Sequence, residues 1–157
     1  KVAAGYSLHA SKYTAFISTT NGYYVRPLGY CIKAFDLGSH GKFVPAIFSN
    51  PNHLNLSAYA VLSDDRNLYV TIINKEHGTK GRDARIQIAI PGENFSQAAA
   101  ILLAAPSNDV AATTGETLGG GVIQHDGSWN GQWKPLNSPS SVMIPAGSAA
   151  VIKLTAH

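Results

Sequence analysis

The strongest constraint on this chain is one stretch in its middle: the apolar segment Leu56–Leu62 (LSAYAVL), five polar residues Ser63-Asp64-Asp65-Arg66-Asn67, and a second apolar segment at residues 68–73 (LYVTII). Two runs rich in β-branched and aromatic residues, separated by a polar turn of hairpin length, pair as antiparallel strands. The rest of the chain repeats the theme. Ile86, Ile88 and Ile90 alternate with Arg85, Gln87 and Ala89 until Pro91-Gly92 ends the run, the period-two pattern of a strand with one packed face and one wet face. Residues 42–49 form another apolar β-type run. Residues 98–104 are a short apolar run ahead of Pro106, where length favours a strand although periodicity alone does not separate it from a helical turn. Gly119-Gly120-Gly121 reads as a turn before Val122 and Ile123, and Pro145-Ala146-Gly147-Ser148 separates Val142-Met143-Ile144 from residues 150–154 as a closing hairpin.

One segment breaks the pattern. Pro27 suits the first position of a helix, Leu28, Cys31, Ile32 and Phe35 share one face at helical spacing, and Gly38 is a natural stop. Cys31 on that apolar face is expected to be packed. The sequence therefore predicts a mainly β fold: an antiparallel two-sheet β-sandwich of about eight strands with one N-terminal helix. Its composition of 45% hydrophobic and 13% charged residues, with 15 Gly and 8 Pro, suits short strands and many turns better than a helical bundle. Residues 1–25 fit least, being rich in Tyr, Ser and Thr with weak alternation.

Size and charge set further bounds. A chain of 157 residues falls in the range of one domain with one core. The net charge of +3, from 12 Lys and Arg against 9 Asp and Glu, gives no reason to expect nucleic acid. Its densest basic stretch, Lys75, Lys80, Arg82 and Arg85, is broken by Glu76 and Asp83 and reads as a solvated loop, with an acidic polysaccharide as the sharper alternative. The single cysteine forms no internal disulfide. No apolar run approaches a membrane span, and the first residues lack the layout of a signal peptide; with no initiator Met, the chain reads as a processed product or an excised fragment.

Specific chemistry is sparse. His9, His40, His53, His77, His125 and His157 show no spacing that places two on one face, so no metal site is expected, and nothing implies a cofactor. No Gly-x-Ser-x-Gly turn or comparable Cys and His context is present, and the triple glycine lacks the lysine of a phosphate loop. Asn94-Phe95-Ser96 and Asn55-Leu56-Ser57 match the glycosylation acceptor pattern, which matters only in a eukaryotic secretory setting. The best candidate binding patch is Trp129 and Trp133 with Asp126 and Asn130, since an exposed indole stacks on a sugar ring while polar groups bond its hydroxyls; the competing reading is that each Trp covers a core edge.

Several stretches then fall in a recognisable order. Arg26-Pro27-Leu28-Gly29-Tyr30 resembles the segment opening the last barrel helix of family 79 glycoside hydrolases, the β-glucuronidases and heparanases, with Gly29 where a tyrosine is usual. Gly5-Tyr6-Ser7 resembles the loop before it, and residues 56–74 resemble a strand, turn and strand ending in an asparagine that recurs there. Thr117-Leu118-Gly119-Gly120 followed by Asp126-Gly127-Ser128-Trp129 is the most distinctive match, and residues 144–154 are similar too. The resemblance covers residues 26–154. It implies that residues 1–40 are the end of a β/α barrel and residues 41–157 a C-terminal sandwich, in a secreted or periplasmic parent that hydrolyses O-glycosyl bonds. The family's two catalytic glutamates stand on the fourth and seventh barrel strands, neither of which this chain contains, and Glu76, Glu93 and Glu116 do not form an evident pair of the kind retaining hydrolysis needs. The implied role is thus a non-catalytic accessory domain, whose stripe Leu28, Cys31, Ile32 and Phe35 faces the parent's barrel or a second copy of the chain. Two other readings stay open: a carbohydrate-binding module acting through Trp129 and Trp133 with the loop around Arg82, and an independent structural or adhesion domain.

Overall fold

A computed structural model of the chain describes residues 14–91, 97–136 and 141–155. The central hairpin is present: β4 (Leu56–Leu62) pairs antiparallel with β5 (Leu68–Asn74), Leu62 opposite Leu68. Its turn is closed by side chains. The Asp65 carboxylate accepts from the Ser63 hydroxyl and from Asn67 Nδ2, and Arg66 adopts a left-handed φ of 64° at the tip.

The far edge of β5 pairs with β11 (Ser148–Thr155), which in turn pairs with β7 (Gln97–Ala104), so the last strand lies at the centre of a seven-stranded antiparallel sheet. Its sequence, SAAVIKLT, has apolar side chains on both faces, as a strand covered from both sides must. At one edge β3 (Lys42–Val44) joins β4. At the other, β7 carries β8 (Thr117–Leu118) and β9 (Lys134–Pro135). The apolar run continues past Val44, but Pro45 has no N–H to give the ladder and β3 stops there.

One face of this sheet is covered by a second, two-stranded sheet, β6 (Ala84–Gln87) with β10 (Ser141–Ile144), and Val70, Ile72, Ile86, Ile144, Ile152 and Leu154 are buried between them. Two expectations need correction here. The residues around Pro145 do not make a hairpin, because β10 and β11 belong to different sheets. Ala146 N–H instead bonds the Asp83 carboxylate at 2.9 Å and Gly147 takes a φ of 66°, carrying the chain across from one sheet to the other. Ile88 and Ile90 do pack on this core but lie beyond the strand, since β6 ends at Gln87, opposite the first residue of β10.

Asn74 ties the two sheets together. Its side chain is only 1% exposed; Nδ2 donates to the carbonyls of Arg82 at 2.9 Å and Ile144 at 3.1 Å, and Oδ1 accepts from Glu76 N–H at 3.1 Å. This is the asparagine that ends the second strand of the hairpin.

The opposite face of the large sheet carries the helix α1 (Pro27–Gly38), with Pro27 in its first turn. Tyr30, Ala34 and Gly38, four residues apart, form the ridge that meets the sheet, and Val25, Ile101, Leu118 and Val151 complete this core. Gly38 has no side chain because it has no room: a Cβ there would lie 2.7 Å from Val151 Cγ1. Ahead of the helix, in the stretch whose pattern showed no strand, β1 (Phe16–Thr19) and β2 (Gly22–Val25) form a hairpin. It lies against the first turn of α1, where a Cβ on Gly29 would lie 2.5 Å from Val25 Cγ1 and 2.9 Å from the Ala15 carbonyl oxygen. Glycine at position 29 thus follows from how closely residues 15–25 approach the helix. Among the described residues no helix is long and apolar enough to cross a membrane.

Candidate docking surface

Helix α1 is apolar on two sides, and the sheet covers only one of them. The ridge of small residues, Ala34 and Gly38 beside Tyr30, lets the helix axis come close to the sheet, which turns the bulkier stripe outward. Leu28 and Ile32 are more than a third exposed, Phe35 is 50% exposed, and Cys31 is exposed as well. The expectation that Cys31 is packed inside is therefore corrected. Its thiol still has crowded, apolar surroundings; desolvation first, and the negative charge of Glu116 second, push it above the ordinary thiol range.

This stripe continues into a cleft of about 820 Å³ between α1, the β3–β4 edge and the segment after β7. Antiparallel register builds its floor. Tyr59, Thr71, Val151 and Ile101 stand in one row across the sheet, and Ile73, Ala149 and Leu103 in the next. On its margins stand Phe43, 72% exposed, and Val110, also exposed, and just beyond β3 the side chain of Ile47 lies wholly in solvent. Contiguous apolar surface of this extent, on a chain whose two cores are already formed, is the mark of an interaction surface. The sequence disclosed the helix stripe, but not the sheet residues that extend it, because every strand carries alternating apolar residues whether or not something covers them.

Glu116 was also not singled out. It precedes β8, is only 5% exposed, and both carboxylate oxygens are shielded from solvent without a hydrogen-bond partner among the described residues. It borders both the apolar cleft and a smaller cavity of about 230 Å³ lined by Tyr23, Tyr24, Tyr30 and His125. The Tyr30 hydroxyl on that side accepts from Ile123 N–H at 3.0 Å.

The tryptophan motif has a clear local architecture. Leu118 and Gly121 exchange backbone hydrogen bonds around Gly119 and Gly120, whose φ values of 62° and 73° are those of a turn that demands positive φ at both central positions. The chain then folds back in a second turn, where the Asp126 carboxylate accepts from Ser128 N–H at 2.9 Å and is held below the usual carboxylate range, first by Ser128. This brings Trp129 inward. It is half-buried, donates from Nε1 to the Leu118 carbonyl at 3.0 Å, and has Lys33 Nζ 5.6 Å from its ring centre. Trp133 is half-buried too, edge-on to Tyr69 with 6.3 Å between ring centres, while Asn130 is exposed. The four residues lie in one segment, with both indoles against the helix-side core.

In the basic loop Arg82 is internally engaged. Arg82 forks onto Glu76 with contacts of 3.1 and 3.2 Å and also donates to the carbonyls of Asn52 and His53. That pairing holds Glu76 below the ordinary carboxylate range, with the Arg82 side chain as the largest cause. His40 and His77 make local bonds, to Asp36 and the Lys75 carbonyl, and His125 makes a long-range one to the Tyr23 carbonyl. Among the described residues no group of three or more His, Cys, Asp or Glu is placed to hold a metal ion. Gly5-Tyr6-Ser7, His9, Glu93, Asn94 and His157 lie outside the described residues.

No family model matches the chain, and no curated protein matches it. Similar solved structures do exist. The α-L-arabinofuranosidase from Thermotoga maritima, in an arabinose complex, superposes with a TM-score of 0.64 at 17% identity over 90% of this chain and 31% of its own. CelM2, a bifunctional glucanase-xylanase from a metagenome library, gives 0.54 at 19% identity over 90% of this chain and 24% of its own. The catalytic domain of GH30 xylanase C from Talaromyces cellulolyticus gives 0.57 at 15% identity over 90% and 27%. What is shared at these identities is the fold. The chain has the architecture of a domain that glycoside hydrolases carry, and it spans less than a third of the length of each of these three.

Proposed function

We propose that this chain is the non-catalytic sandwich of a family 79-type glycoside hydrolase, and that it packs against the β/α barrel of its parent through the outer stripe of α1 and the adjoining cleft. The observation that carries this reading is the uncovered apolar surface from Leu28 through Phe35 to Phe43 and Tyr59. A β-sandwich with a complete core on each face of its main sheet gains nothing from such a surface unless another body covers it. In each of the three structural neighbours most of the chain lies outside the part that matches, which is consistent with such a body. The order of motifs over residues 26–154 is what points to family 79 rather than to any other glycosidase family.

The local chemistry agrees with a supporting role. A retaining glycosidase needs one carboxyl that gives up a proton to the leaving oxygen and a second about 5 Å from it. Glu76 is fixed as an ionised partner of Arg82, the opposite of a proton donor, and the Glu116 oxygens have no open path to a sugar. The test is direct. Incubated with an aryl glucuronide, the chain is expected to release no aryl alcohol above the uncatalysed rate, whereas the same chain joined to its barrel does; turnover by the chain alone at an enzyme-like rate overturns the proposal.

A further inference from the structure

We infer that the smaller cavity, between β2 and residues 122–125, binds a single sugar ring. Its walls are fixed from several sides. Ile123 N–H donates to the Tyr30 hydroxyl at 3.0 Å, Gln124 N–H to the Ser128 carbonyl at 2.8 Å, and His125 Nδ1 to the Tyr23 carbonyl at 2.8 Å. Gly22 lets β2 come close, since its φ is 116° and a Cβ there would stand 3.4 Å from His125 Cβ. Walls held in this way lose little freedom when a ligand enters.

Three groups are open to that ligand. Alternate residues of a strand share a face, so Tyr23 lies on the side of Val25, which is buried on the cavity wall, and the Tyr23 ring, 56% exposed, stands at the mouth. A carbonyl only accepts, so the bond to Tyr23 puts the His125 proton on Nδ1 and leaves Nε2 of the neutral, exposed ring as an acceptor. Beside it the exposed Gln124 amide both gives and takes. What fits is a molecule with hydroxyls at its rim, each a donor and an acceptor, and an apolar C–H face for the phenol ring; a sugar has both. The volume of about 230 Å³, below the roughly 300 Å³ at which sites for larger ligands begin, suits one ring rather than a chain. Among the described residues Glu116 alone lines both this cavity and the docking cleft, and its shielded oxygens meet neither occupant. The sugar site is therefore independent of what covers the cleft.

The test is a titration followed by amide NMR, with D-glucose, D-xylose, L-arabinose and D-glucuronate as probes taken separately to high millimolar concentration. At least one is expected to shift the amides of Tyr23, Gln124 and His125 saturably. For that probe Tyr23→Phe, which keeps the ring, should bind as the parent does, and Tyr23→Ala should bind about fivefold more weakly or worse. His125→Ala should weaken it as well, while Asn130→Ala, on the neighbouring tryptophan segment, should leave it unchanged. Tyr23 is mostly exposed, so its variants are expected to fold, which circular dichroism checks. No saturable shift with any of the four probes overturns the inference. So does binding that Tyr23→Ala leaves intact, or that Tyr23→Phe weakens as much as Tyr23→Ala does, or that Asn130→Ala abolishes.

Discussion

Replacing Asn74 by alanine removes the side chain that joins the two sheets, and its cost can be worked from three contacts. The amide gives two hydrogen bonds, to the Arg82 and Ile144 carbonyls, and takes one from Glu76 N–H. A typical intramolecular hydrogen bond contributes about 0.5–1.5 kcal/mol net, and a buried group left without its partner costs about 1–3 kcal/mol. The Ile144 contact is wholly buried, so its carbonyl has no water to turn to, whereas the other two groups lie nearer solvent. The sum for Asn74→Ala is a loss of about 3 kcal/mol. With a urea dependence of about 2 kcal/mol per molar for a domain of this size, the unfolding midpoint moves down by about 1.5 M. Circular dichroism and tryptophan fluorescence should report the same shift. Asn74→Asp sharpens the test, since a carboxylate facing two carbonyls cannot donate to either; it should be at least as damaging. A loss under about 0.5 kcal/mol for alanine, or an aspartate variant as stable as the parent, refutes the assignment of Asn74 as the tie between the sheets.

Other consequences can be measured on the same chain. Gly29→Tyr should displace the β1–β2 hairpin, because even a Cβ meets Val25 Cγ1 at 2.5 Å; overpacking of this kind costs about 1–3 kcal/mol or more, and a variant with an unchanged melting midpoint contradicts the contact. The carboxyls of Asp65, Glu76 and Asp126 are all held below their ordinary values of 3.8, 4.5 and 3.8, so the stability they contribute is complete above those values and is lost as pH falls through the lower folded ones. Urea midpoints should therefore be level near neutral pH and decline below about pH 4; midpoints that rise on acidification contradict the sign.

How much of this was legible beforehand varied with the physics of each element. The β4–β5 hairpin was plain because both strands alternate and a polar turn joins them. The β1–β2 hairpin was hidden for the converse reason: all of β1 is exposed, so no buried face imposes a period on Phe16-Ile17-Ser18-Thr19. Period two says which residues share a face but not which strand lies alongside, and so residues 141–155 could be read as a hairpin when they divide between two sheets. Helix α1 gave up its outer face and concealed its inner one, since Leu28, Cys31, Ile32 and Phe35 register as apolar while Gly29, Ala34 and Gly38 matter for their smallness. Trp129, Trp133, Asp126 and Asn130 stood out as a candidate patch by residue type alone, and the turn of Nε1 toward Leu118 depends on a fold-back between Gly119 and Ser128 that no spacing rule specifies. Glu116 belongs to no motif, and its burial is set by the helix and sheet around it.

The central claim is that the outer stripe of α1 is covered by a barrel, and the single cysteine of this chain lies within that stripe. Its alkylation by a maleimide, followed peptide by peptide with mass spectrometry at one pH, reads that coverage directly. The account predicts that Cys31 reacts readily in the chain alone and at least about tenfold more slowly when the barrel is attached, the ratio expected when access requires an opening costing about 1.4 kcal/mol or more. Equal rates in the two proteins contradict it.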